Sequence, residues 1–265
     1  MTLEPFLSDA LQKAHSSWRP HLVEGLTRMM AADPSYFDDL KKTGFLPTEN
    51  RLFAAFSLPV DEVRFILVGE SPYPREESAT GYSFMDGAVR EIWSETGFSK
   101  EVNRATSLRN FLKMLLVAEK TLLSDDTGAK AIARVRSQSI GRNVPHITQL
   151  YELQENFQNQ GFLLLNASPV FRRHVLPSKE AKAWLPFLNV VLDTLARHKE
   201  ALKTPLPVLI LWGNAAKKLE TVEAAFAFPK IKSEHPYNLS FIQNLEMQNL
   251  FAPANLLVSG KNRQC

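Results

Sequence analysis

Three short apolar runs constrain the fold of this chain more than any other feature of it. They are Arg64-Phe-Ile-Leu-Val68 closing on Gly69, Phe162-Leu-Leu-Leu165 closing on Asn166, and Val208-Leu-Ile-Leu-Trp212 closing on Gly213. A strand with one wet face alternates apolar and polar residues. A run that is apolar at every position suits a strand covered on both sides, as in a parallel sheet. A shorter run, Ile231-Lys-Ser233, precedes His235. Between the second and third runs, Trp184, Phe187, Leu188, Val191, Leu192 and Leu195 form one stripe of an amphipathic helix. Strands alternating with helices predict an α/β fold, a central four-stranded parallel sheet flanked by helices.

The rest of the chain is read around that sheet. Leu7, Leu11, Leu22, Leu26 and Met30 recur at helical steps, so residues 1–50 are expected to form an N-terminal helical layer. Ser107 to Glu119 reads as a helix with Leu108, Phe111, Leu112 and Leu115 inward, inside an irregular, insertion-bearing region at 85–146. The length of 265 residues suits a single domain over 1–265. With 45% apolar and 22% charged residues the chain can bury a core, and no apolar run is long enough for a membrane span. The N-terminus lacks a basic stretch followed by an apolar one, so a cytoplasmic protein is expected; it is also expected to be monomeric. The single cysteine, Cys265, allows no internal disulfide and no thiolate metal site.

Net charge is only +3, so its distribution matters more than its sum. Residues 129–146 carry Lys130, Arg134, Arg136, Arg142 and His146 without an acid, and Arg172, Arg173 and His174 form a second basic cluster. Arg134 and Arg136 are candidates for phosphate contact; a solvated basic face is the alternative. In open parallel sheets ligands bind beyond the carboxyl ends of the strands. Those ends carry Gly69-Glu-Ser-Pro-Tyr73, Asn166-Ala-Ser168, Gly213-Asn214 and His235-Pro-Tyr-Asn-Leu239, which predicts a pocket there.

These strand ends resemble those of the uracil-DNA glycosylase superfamily. Gly69-Glu-Ser-Pro-Tyr-Pro74 followed by Gly81-Tyr-Ser-Phe84 is similar to its first motif, at the family's offset. Leu163-Leu-Leu-Asn166 resembles the strand that ends in the base-reading asparagine, and Leu211-Trp-Gly-Asn-Ala-Ala-Lys217 its Leu-Trp-Gly stretch. His235-Pro-Tyr-Asn-Leu-Ser240 resembles the closing motif, and weaker similarity runs from about Phe45 to Asn255.

The resemblance implies a monofunctional DNA glycosylase that extrudes an altered pyrimidine, cuts its bond to the sugar and leaves an abasic site, without cofactor or metal. His235 would donate to the departing base at O2, assisted by amides of the 70–71 turn. Phe84 would stack on the base, Asn166 would read its Watson–Crick edge, and Tyr73 would exclude a methyl at C5. Leu239 would fill the vacated space, and Ser107, Ser168, Asn214 and Ser240 would hold phosphates. For Phe84 the alternative is a core side chain, for Asn166 a turn cap, and for His235 a loop contact.

The sequence departs from the family in one motif. Ser71 stands where the family has its catalytic Asp, Glu70 where it has Gln, and Pro74 where it has His. Serine supplies no negative charge to a sugar cation, so Glu70, Glu76 or Glu77 would have to take over. A substrate other than uracil is the second possibility: hydroxymethyl- or glucosyl-hydroxymethylcytosine of phage DNA, in an enzyme of antiviral defence. A catalytically silent DNA-binding relative is the third.

Overall fold

A computed structural model describes residues 3–140, 146–213, 219 and 222–259. In chain order the helices are α1 (Pro5–Leu11), α2 (Arg19–Ala32), α3 (Tyr36–Thr43), α4 (Lys100–Arg104), α5 (Thr106–Ala118), α6 (Ala129–Ile140), α7 (Leu150–Asn159), α8 (Pro177–Ala183), α9 (Leu185–Leu202) and α10 (Leu245–Phe251). The strands are β1 (Phe65–Gly69), β2 (Trp93–Ser94), β3 (Gly97–Phe98), β4 (Phe162–Asn166), β5 (Val208–Trp212) and β6 (Lys230–Ser233). Contacts gather into two compact units: Met1–Gly87 with Gly161–Lys232, and Ala88–Gln160 with Ser233–Cys265.

The first unit is built on the expected sheet, a four-stranded layer in the order β4-β1-β5-β6. The central strand β1 runs parallel to both neighbours, with Phe65 opposite Phe162 and Val208. Burial of β4 at every position explains why its sequence does not alternate. Helices α2 and α9 pack against one another, and Trp18, Phe53, Phe56, Trp184 and Phe187 join one apolar cluster with the residues of β1 and β4. Pro186 in the first turn of α9 removes an amide that has no helical partner there. The expected helical layer at 1–50 is present as α1, α2 and α3.

The second unit is mostly helical, with β2 and β3 as a short antiparallel pair. Its core is aromatic: Phe111 of α5 lies 5.8 Å from Phe157 of α7 and 5.4 Å from Phe251 of α10. Asn156 ties the C-terminal segment to α7 by donating to the carbonyls of Leu256 (2.7 Å) and Val258 (2.9 Å). No helix among the described residues is long and apolar enough to cross a membrane.

Candidate active site

Parallel register brings the candidate residues of the first unit together. Gly69 and Asn166 are partners at the carboxyl ends of β1 and β4, and pairing continues past them: Ala167 N–H donates to Gly69 O (2.9 Å) and Ser168 N–H to Glu70 O (3.1 Å). The Asn166 side chain covers Gly69 so closely that a Cβ there would lie 2.5 Å from Asn166 Oδ1. Only glycine leaves the amide in place. Ser83 fastens the following turn to both strands, its N–H donating to Leu164 O and its hydroxyl to Leu67 O, each at 3.1 Å. Gly81 enters that turn at φ +87, where a Cβ would meet Arg51 O at 2.2 Å.

Phe84 ends the turn in the left-handed region, at φ 61. A bulky side chain there costs about 1–3 kcal/mol and persists only where the surroundings impose it. The anchored Ser83 on one side imposes it, and on the other the Trp212 ring meets Phe84 edge-on at 4.7 Å and 62°. Phe84 stays half-buried while Asn166 is only 6% exposed. Tyr73, also half-buried, has its phenol held well above the ordinary range by burial and by the charge of Asp86, with Arg75 opposing. Asp86 itself is 6% exposed and lies 3.6 Å from the Arg75 guanidinium. Glu70 is exposed and Ser71 half-buried.

The second unit carries the closing motif. His235 Nδ1 accepts from the Tyr237 N–H at 3.1 Å. A backbone amide can only donate, so Nδ1 is unprotonated and the neutral ring carries its hydrogen on Nε2. The loop that follows is held from α5. Asn110 is fully buried and donates to Pro236 O (2.8 Å) and Tyr237 O (3.3 Å). Beyond it Tyr237 and Leu239 are each 68% exposed, two large apolar side chains placed in water within one turn. Glu234 anchors the base of the loop. Burial pushes its carboxyl up, but its own amide, the Ser240 hydroxyl and the Asn244 amide outweigh this and hold it below the ordinary carboxylate range.

Several of the residues expected at phosphates have partners within the chain. Ser168 is fully buried and its hydroxyl donates to Val170 O at 2.8 Å. Arg134 pairs with Asp126, while Arg136 donates to Ser94 O (3.3 Å) and lies over the Trp93 ring at 5.9 Å. Arg172 is buried between Glu180 and Asp39, at 2.5 Å from each. Ser107 is half-buried in the first turn of α5 and Ser240 is exposed. Asn214 lies outside the described residues.

Comparisons with known proteins bear on the family. The family model "Uracil DNA glycosylase superfamily" matches residues 56–258. The chain belongs to that superfamily. A wild-type UNG crystal structure from Nitratifractor salsuginis is 39% identical, with a TM-score of 0.85, over 97% of this chain and all of that one. The uracil-DNA glycosylase of Amoebophilus asiaticus is 27% identical over 83% of this chain and 82% of its own length. The mimivirus uracil-DNA glycosylase, at 15% identity and a TM-score of 0.52, shares the fold.

As a member of the superfamily the chain is a DNA glycosylase, a hydrolase that acts on DNA. Two residues that the sequence reading passed over stand out in this glycosylase. Asn110 interrupts an apolar helix face, and Asp86 sits among Met85, Gly87, Ala88 and Val89. A lone polar residue in an apolar setting was the available signal for both. Among the described residues no group of three or more His, Cys, Asp or Glu could hold a metal ion.

Proposed function

We propose that this glycosylase excises uracil from DNA. Water adds its oxygen to the sugar C1′, the C1′–N1 bond breaks with its electron pair going to the base, and an abasic site remains. The observation that carries this reading is the strained, half-buried Phe84, next in sequence to Ser83, whose side chain flanks Gly69 together with that of the buried Asn166. Strain of that kind at an aromatic side chain supports a role in stacking on the flipped base. The Asn166 amide offers one donor and one acceptor, the pattern a uracil edge requires. His235 donates from Nε2 to O2 as negative charge develops there, and its neutral tautomer supports that role. Leu239 enters the stack where the base has left.

The charge missing at Ser71 falls to Asp86. Glu70 is exposed, and two unit charges 4 Å apart in water interact by only about 1 kcal/mol, against about 4 kcal/mol near protein. Asp86 is buried, two residues past Phe84, and its charge reaches Tyr73. A second reading, a modified cytosine of phage DNA as substrate, draws on Glu70, an acceptor suited to an exocyclic amine or a sugar hydroxyl. Tyr73 at the turn favours the smaller base.

The experiment is excision from oligonucleotides carrying uracil, 5-hydroxymethylcytosine or its glucosylated form, with abasic sites revealed by alkaline scission. Product from uracil is expected, with Asp86→Asn slowing it about a hundredfold or more and Glu70→Gln less than tenfold. Product only from a modified cytosine moves the assignment to that base, and blank lanes throughout support a silent DNA binder.

A further inference from the structure

The second unit holds a cavity of about 370 Å³ lined by Thr96, Gly97, Phe98, Asn103, Arg109, Lys113, Ala129 and Ile132. Its size lies within the range of ligand sites. None of the lining residues is acidic, and two are cations four residues apart on α5. Like charges at that spacing repel, and each is half-buried, so they are held together at a cost to the helix. Burial, and Arg109 beside it, hold the Lys113 ammonium below the ordinary lysine range. Arg109 uses one guanidinium nitrogen on Asn103 O, at 2.7 Å, and Lys113 makes no ion pair with a described residue.

We propose that this cavity is a phosphate site, taking a phosphate ester of nucleotide size between Arg109 and Lys113. A guanidinium fork matches two phosphate oxygens and an ammonium adds a point charge to a third. A dianion or diester there would relieve the repulsion between the two cations. The contrast with α6 supports this assignment: Arg134 and Arg136 already have partners, whereas the cations of α5 face a space large enough for a ligand. The same chemistry is offered by a backbone phosphate of bound DNA and by a free nucleotide. The proposal is independent of which base the enzyme excises, because its readout is binding.

The test follows the isotope-labelled dimethyl-lysine resonance of Lys113 in the whole protein during titration with inorganic phosphate, thymidine monophosphate and an undamaged duplex. A saturable shift is expected, and Arg109→Gln should weaken binding about tenfold on that resonance; calorimetry on unlabelled protein should show the same loss for Lys113→Met, each losing one charged hydrogen bond. Lys120→Met, an exposed lysine just past the same helix, should leave it unchanged. Competition between nucleotide and duplex, with the salt slope of DNA binding reduced by about 1 in Lys113→Met, identifies a DNA phosphate as the ligand. Simultaneous binding with an unchanged slope identifies a free phosphate ester. No shift with any probe at tens of millimolar, or an equal loss in Lys120→Met, overturns the proposal.

Discussion

Phe84 shows how a single backbone angle can serve an active site. Its φ of 61 would be relieved by glycine, yet glycine would remove the ring proposed to stack on the base. Phe84→Leu keeps the bulk and the strain but loses the aromatic face. Base–aromatic stacking is worth about 1–3 kcal/mol, so kcat/KM for excision should fall about ten- to a hundredfold in single-turnover assays. Glu234 makes a second prediction at this scale. Its carboxyl is held below the ordinary 4.5, so the stability it contributes is present above that value and disappears as pH falls through the lower folded one. The difference in unfolding free energy between the wild type and Glu234→Gln should therefore be constant near neutrality and shrink in acid, which denaturant titrations from pH 3 to pH 7 will measure.

At the scale of elements, α5 determines more of the site than its sequence suggests. Its buried face supplies Phe111 to the aromatic core and Asn110 to the loop carrying His235, Tyr237 and Leu239. Asn110→Leu leaves the carbonyls of Pro236 and Tyr237 without that donor, a penalty of about 1–3 kcal/mol, and frees the loop to move. The expected signature is a fall of about tenfold or more in kcat with KM changed little, since His235 acts only as charge develops. The strands themselves were legible from sequence, because continuous burial leaves a continuous apolar run. Asn110 and Asp86 were not, because a polar residue within an apolar stretch does not reveal what it will touch. The partners of Arg134 and Arg136 were not legible either: Asp126 lies just before α6, and Ser94 and Trp93 lie in an earlier segment.

For the whole molecule, sequence order and compactness do not coincide. The second unit draws on residues 88–160 and again on the last stretch from 233, segments far apart in the chain. Tyr73, Phe84 and Asn166 belong to the first unit and His235 and Leu239 to the second. A family motif read in order along the chain anticipates this division without revealing it. The account stands on His235 as the neutral donor to a departing uracil. Single-turnover excision from a uracil-containing duplex by the wild type and by His235→Ala tests it most directly. Rapid cleavage that the substitution slows by orders of magnitude, with duplex affinity nearly intact, is predicted; equal rates, or no product from the wild type, would contradict it.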